Sequence, residues 1–353
     1  MDRGVVAGSL AALLIGAGFI FGLPAYVDPF QLMQMTLYIV LAIFALSLAF
    51  IWGIGGILCF GQGAFFGIGG YTFAICAINF GDTTGAFALS LLVPAAAAAA
   101  LGYFVFYGRL SDVYLGVVTM VFSLIIWKLI NSTAGPEWHI GAARLGGFNG
   151  IPSIPPLNWP GDPSRPFEPV QIFQIATGLL VVTYVALRLI KWSHYGRVAI
   201  AVRENETRAA LLGYDVRFIK LLVFTLGGLI AGMAGALYAT YQAFIDPNVF
   251  SLETSAKVLI WVMAGGVSTF IGPILATIGL QYVALFLAEH KLINSQLVLG
   301  AILCFLVLTL PNGIGPAFVE LAGRLSGRAR AALLGRPRGT AASTAAAARK
   351  TAL

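Results

Sequence analysis

Charge is what this chain has least of. Only 10% of its 353 residues are Asp, Glu, Lys or Arg, where soluble domains carry about 25%. With 59% hydrophobic residues and a mean hydropathy of +0.90, that scarcity excludes a water-soluble fold, whose core could not hide so much apolar surface. A bilayer can. Cysteine and histidine are scarce too, at three each. Cys59, Cys76 and Cys304 fall in apolar runs and His139, His194 and His290 in separate loops, so neither type clusters as a metal site and the cysteines read as packing residues. No G-x-x-x-x-G-K-S/T phosphate loop occurs, which denies the chain an ATPase of that type. Ser123 and Ser268 have no His or Asp in spanning register, which argues against an intramembrane enzyme.

Long apolar runs are what the chain does have. A spanning helix needs about 20 such residues, and the pattern predicts ten: 5–23, 32–53, 56–79, 86–107, 113–132, 171–190, 217–240, 254–271, 273–289 and 294–311. The first resembles a secretory signal in its short basic start, but its apolar run is long for one, and it reads as a retained helix. The fold class is therefore an all-α polytopic membrane protein. Residues 1–321 form the membrane domain, and the basic Ala/Gly/Arg-rich tail, 322–353, reads as solvated and disordered, with binding to anionic headgroups the alternative.

Cation placement fixes the expected orientation. With both termini cytoplasmic, 16 of the 21 Lys and Arg fall on the cytoplasmic side, among them Arg3, Arg109, the cluster from Arg188 to Lys220 and the tail, as the positive-inside rule requires. Arg144, Arg165 and Lys291 remain outside, and Lys128 and Lys257 are expected to snorkel from outer span ends. The pI of about 9.4 then reflects topology and anionic lipid, without nucleic acid.

A Gly/Pro-rich outer loop, 133–170, divides the ten spans into two sets of five, the arrangement of inverted repeats. The third span of each set is rich in glycine: "GIGGILCFGQGAFFGIGGY" (53–71) and "WVMAGGVSTFIGP" (261–273). Such runs suit discontinuous helices along a solute path, or close helix packing. Gln62 adds a primary amide that must find partners away from water. Gly61, Gln62, Gly63, Phe65, Gly69, Tyr71, Gly265 and Gly266 are the candidate path residues. No expected span has Asp, Glu, Arg or His near its middle, which disfavours proton coupling and suits a neutral solute.

The most highly charged stretch is cytoplasmic, at 191–216. From Val198 to Leu212 it lacks Pro and Gly, and residues 198, 202, 209 and 212 share an apolar face at helical spacing. Arg203, Glu204, Glu206 and Arg208 are its polar remainder, and Gly213 suits a left-handed C-terminal cap. Such a helix either rests on lipid or, with charge of both signs, fits a socket on a partner protein.

Five motifs in order resemble the permease subunits of ABC importers for branched-chain amino acids, particularly the LivM-like ones, with urea and short-chain amide permeases close relatives. They are "GGILCFGQGAFFGIGGY" (55–71), "RLSDVYLGVVTMVFSLII" (109–126), "GGFNGIPSIP" (146–155), "GRVAIAVRENETRAALLGYDVRFIKLLVFTLGGLIAGMAGALYA" (196–239) and "IWVMAGGVSTFIGPILA" (260–276), the last followed by "LPNGIGP" (310–316). Cys59 and Phe60 depart from the family's Ser and Leu, and "GPEWHIGAAR" (135–144) departs in the outer loop. The resemblance implies that Arg203, Glu204, Asn205, Ala209 and Gly213 form a coupling helix docking on ABC ATPase subunits. It also implies a second permease subunit as heterodimer partner, a periplasmic solute-binding protein, and ATP with Mg held by the partner ATPases, so that this chain binds no cofactor. A bacterial inner-membrane importer of branched-chain amino acids is the function expected. Urea or amide import, and a stand-alone secondary transporter or facilitator, are the alternatives.

Overall fold

The computed structural model describes residues 3–108 and 112–290, together with Gly300, Gly313 and Gly315. Eleven helices occur among them: α1 (Arg3–Tyr26), α2 (Pro29–Gly55), α3 (Gln62–Phe80), α4 (Thr83–Tyr107), α5 (Asp112–Asn131), α6 (Pro169–Trp192), α7 (His194–Glu204), α8 (Glu206–Leu211), α9 (Val216–Gln242), α10 (Leu252–Gly265) and α11 (Ile271–His290). Seven of them, α1 to α6 and α9, are long and apolar enough to cross a membrane. The expected tenth span, 294–311, lies outside the described residues apart from Gly300, and Cys304 and the 322–353 tail lie outside them too.

The long helices run alternately between two ends of the bundle. One end carries α7 and α8. The other carries the loop between α5 and α6, where the prolines leave room only for short strands: β1 (His139–Ile140), β2 (Ala143–Arg144), β3 (Ile151–Pro152), β4 (Asn158–Trp159) and β5 (Asp162–Pro166). The loop is tied down at three places. Asn79, near the C-terminus of α3, donates to Ile140 O and accepts from Ala142 N. Thr83 N, at the start of α4, donates to Asn158 Oδ1 (2.8 Å), and Asn158 N returns a bond to Thr83 Oγ1 (2.9 Å). The third tie is β3, which pairs antiparallel with β6 (Phe244–Ile245) just past α9.

At the centre α3 and α9 meet along a seam of small residues. A Cβ on Gly69 would lie 2.2 Å from Gly232 O, and one on Gly235 would lie 1.9 Å from Phe66 O. Only hydrogen fits there, and backbones this close make dispersion contacts along the whole seam. Around it, Phe44, Phe65, Phe66, Phe73 and Phe224 are fully buried.

Two expected spans are corrected. The run 56–79 does not begin as a helix. The α2 helix stops at Gly55 because Gly56 is left-handed (φ 68°) and its N–H closes back on α2 carbonyls. Residues 57–61 then lead inward without helical structure, and α3 begins only at Gln62. Ile57 and Cys59 are buried, the condition under which irregular backbone is tolerated at membrane depth. The run 254–271 is likewise interrupted, at its far end. Pro247–Phe250 forms a single 3-10 turn, α10 has 14 residues, and Gly266 (φ 90°) ends it.

The start of α10 lies deep in the bundle. Ser123, at the middle of α5, donates to Phe250 O (2.7 Å). Gly63 N donates to Ser255 Oγ (3.2 Å). The two broken helices thus start at one level and run oppositely, α3 toward the loop end and α10 toward the α7 end.

Candidate functional site

The α7–α8 segment is not the continuous helix expected from 198 to 212. Asn205 takes an extended conformation (φ −161°, ψ 101°), ends α7 and caps α8 by accepting from Arg208 N (2.8 Å). An Asn side chain competes with helix for the backbone in this way, so the apolar face cannot be followed through it. Val198, Val202 and Ala209 are buried together against Val216 and Ile219, whereas Leu212 is 73% exposed and leaves the predicted face. Gly213 (φ 89°) closes α8: its N–H donates to Ala210 O and Tyr214 N donates to Ala209 O, a Schellman cap.

Charges on this segment divide between inward and outward. Arg203 turns inward, donating from Nη1 to Gly53 O near the end of α2, and a Cβ on Gly56 would meet its side chain at 2.5 Å. Its Nη2 pairs with Glu204, whose side chain is 66% exposed. Lys220 on α9 pairs with Glu206 on α8 and is itself buried. Leu211 and Leu212 project outward from the α7 end. Beneath α7, Phe50, Ile54, Val198, Phe218 and Leu222 line an apolar cavity of about 210 Å³. The inward bonds of Arg203 and Glu206 join residues 150 and 14 positions apart, and no local pattern announces either.

Of the candidate path residues, Gly61, Gln62 and Gly63 share a node at half depth. Gly61 packs on Thr119 O. Gln62 is fully buried. Its Nε2 donates to Ser47 Oγ (2.8 Å) and to Gly227 O (3.4 Å). Ser47 spends its own proton on Phe44 O (2.6 Å), so both partners can only accept and the amide nitrogen must face them. Oε1 is thereby turned the other way, where it has no hydrogen-bond partner among the described residues. An unpaired buried acceptor costs free energy unless something donates to it. Phe65 packs edge-on against Phe224 (5.4 Å), and Tyr71 lies against Phe250 (5.3 Å) with its hydroxyl buried and without a hydrogen-bond partner among the described residues. Gly69 belongs to the α3–α9 seam. Gly265 and Gly266 lie apart from the node, at the α7 end, with Gly265 against Gly272 and Pro273.

One expectation about charge is overturned here. Lys257 does not snorkel from an outer span end. Because α10 starts at half depth, Lys257 and Glu253 stand inside the span region, joined by an i,i+4 ion pair of 2.7 Å with side chains 55% and 63% exposed. The sequence shows where this helix starts but not its depth, because hydropathy does not reveal that the stretch between α9 and α10 turns back into the bundle.

Comparison with known proteins identifies the family. Residues 31–307 match the family described as "Branched-chain amino acid transport system / permease component". The chain belongs to this family. The LivM high-affinity branched-chain amino acid transport system permease protein of Escherichia coli K12 is 32% identical over 299 residues, covering 80% of this chain and 69% of that protein. LivM of Salmonella typhimurium is 32% identical over 305 residues. The LivH permease protein of Escherichia coli K12 is 25% identical over 300 residues, 79% of this chain and 92% of LivH. No solved structure matches significantly. The matched region holds the bundle from α2 onward, both broken helices and the α7–α8 segment.

Proposed function

We propose that this chain is a transmembrane permease subunit of an ATP-driven ABC importer for branched-chain or related neutral amino acids, with both termini and α7–α8 on the cytoplasmic face of a bacterial inner membrane. The observation that carries this reading is the match over residues 31–307 to a branched-chain amino acid permease family. The site geometry supports it: a capped two-helix element at one bundle end turns Glu204, Leu211 and Leu212 outward and anchors itself inward through Arg203 and Glu206. Arg203, Glu204, Asn205, Ala209 and Gly213 belong to this coupling element. ATP and Mg are held by partner ATPases, a second permease of the LivH kind completes the membrane unit, and a periplasmic solute-binding protein delivers solute at the loop end. Residues 1–321 act as the permease domain and 322–353 as a cytoplasmic tail. Gly61, Gln62, Gly63, Phe65, Gly69, Tyr71, Gly265 and Gly266 lie along or brace the path. The two halves are inverted relative to each other, a reading supported by α3 and α10, which start at one level and run oppositely.

The test is affinity purification from the native membrane in mild detergent, comparing wild type with a Glu204→Lys, Gly213→Pro double variant. Wild type brings down an ATPase and a second permease, and the variant loses the ATPase. A wild-type chain that purifies alone refutes the importer and leaves a stand-alone carrier.

A further inference from the structure

We propose that Glu253 and Lys257, on the open face of α10, form the subsite at which a zwitterionic amino acid is held on its way through the membrane. This inference rests on the reading of the chain as an amino acid permease and names the side chains that meet the solute. The argument begins with depth. Phe250 is bonded to Ser123 at the middle of α5, and Ser255 is bonded to Gly63 beside the Gln62 node. Glu253 and Lys257 stand within about one helical turn of that level. From Lys257 to the end of α10 at Gly265 is about 12 Å at 1.5 Å per residue, most of the half-thickness of a hydrocarbon core of about 30 Å.

A lysine at this depth would ordinarily extend toward the nearer interface. Lys257 does the reverse: its ammonium lies on Glu253, one turn farther from the α7 end. Neither charge is covered, with more than half of each side chain open. Open charges at half depth cannot face lipid tails, where ionisable groups are confined to cavities and protein interiors. The face that carries them therefore borders a polar space. Its other side is closed, since Ser255, Val258, Leu259 and Val262 pack into the bundle. Farther along the same face are Ile260, half-buried, and Met263, exposed.

The chemistry of that face selects its ligand. A carboxylate and an ammonium 2.7 Å apart present one acceptor and one donor of full charge, with no net charge. An α-amino acid at neutral pH is the complementary dipole. Its carboxylate replaces Glu253 on Lys257 while its ammonium replaces Lys257 on Glu253, each partner trading one charge-assisted bond for another. The exchange explains how a site with fixed charges passes a net-neutral solute without trapping it, because the pair re-forms when the solute leaves. Urea and uncharged amides lack the charges that open the pair.

The experiment uses the complete complex in proteoliposomes with one binding protein throughout, so that any change belongs to the permease. Uptake of labelled L-leucine, ATP hydrolysis and subunit co-purification are measured for wild type, Lys257→Met, Glu253→Gln and Lys257→Arg. Lys257→Met and Glu253→Gln are expected to retain assembly and ATP hydrolysis while the KM for leucine rises by about tenfold, the scale of one charge-assisted hydrogen bond. Lys257→Arg keeps the charge and stays near wild type. In competition, leucinamide, which lacks the carboxylate, gains relative to leucine in Lys257→Met alone. An unchanged KM in both neutral variants overturns the proposal. So does loss of subunit co-purification in them, which would assign the pair to the contact between permeases. If wild type itself takes up no amino acid, the failure lies with the functional reading and the subsite falls with it.

Discussion

Replacing Gly69 by alanine tests the α3–α9 seam on which the rest of the bundle is built. The new Cβ would stand 2.2 Å from Gly232 O and 2.4 Å from Gly232 Cα, where ordinary contact begins at 3.4 Å. The shortfall is 1.2 Å, and backbone supplies the obstruction, so no side chain can swing away. The helices must part by about 1 Å, a gap that forfeits a quarter to a half of each dispersion contact along the seam. Overpacking of this kind costs about 1–3 kcal/mol. Gly85 on α4 is the control, since a Cβ there meets nothing within 4 Å and alanine gains helix propensity of up to about 1 kcal/mol. Thermal unfolding of the purified chain in detergent, followed by size-exclusion recovery, reads both variants. Gly69→Ala is expected to unfold at lower temperature than wild type and Gly85→Ala at the same or a higher one. A Gly69→Ala protein as stable as Gly85→Ala would show that the seam is not close-packed and would refute the argument.

Four further outcomes are expected. Arg203→Ala removes the bond to Gly53 O and the pairing with exposed Glu204 but leaves Glu204, Leu211 and Leu212 themselves in place, so ATPase binding persists while solute moved per ATP falls by about tenfold; an unchanged ratio refutes a role for the Arg203–Gly53 anchor in coupling. Gln62→Leu removes both the bond to Ser47 and the unpartnered Oε1, so stability should change by less than about 1 kcal/mol; a large loss on thermal unfolding would mean that Oε1 has a donor. Asn158→Ala frees the outer loop from Thr83, and limited proteolysis should cut within 150–168 faster than in wild type, with unchanged cleavage refuting the anchor. Asp82 accepts from Thr84 N at the start of α4, which holds its carboxyl below the ordinary 3.8. A lowered folded value gives stability that is complete above 3.8 and lost as pH falls through that lower value, so the melting temperatures of wild type and Asp82→Asn should differ at neutral pH and converge in acid.

The helical architecture was readable because burial in lipid demands apolar runs of fixed length, and α1, α2, α4, α5, α6 and α9 lie where those runs lie. The breaks were not readable. Ile57, Leu58, Cys59 and Phe60 are as apolar as any helix, and only the left-handed turn at Gly56 separates them from α2. The start of α10 was readable from the sequence, but its depth was not. Hydropathy records whether a residue prefers lipid, and it is silent on the depth at which a helix begins. That silence moved Glu253 and Lys257 from an assumed interface to the middle of the bundle. In the α7–α8 segment, charge and the Gly213 cap pointed to a helix at one bundle end. The hinge at Asn205 was missed because Asn between two helical stretches reads equally well as a surface residue of one. The β3–β6 pairing joins residues 94 apart in sequence, Ile151 and Ile245, and two-residue strands have no pattern of their own.

The shortness of α10 has a consequence for how the protein is made. Fourteen residues rise about 21 Å, well short of the about 30 Å that a helix released sideways into lipid must cover. With Glu253 and Lys257 in its first two turns, α10 has no stable existence alone in a bilayer. It can settle only once α2, α3 and α5 stand ready to receive it, as the bonds from Ser123 and Gly63 to residues 250 and 255 require. Membrane biogenesis of this chain therefore has an order, in which the early helices are the template and the charged half-helix is the part that waits.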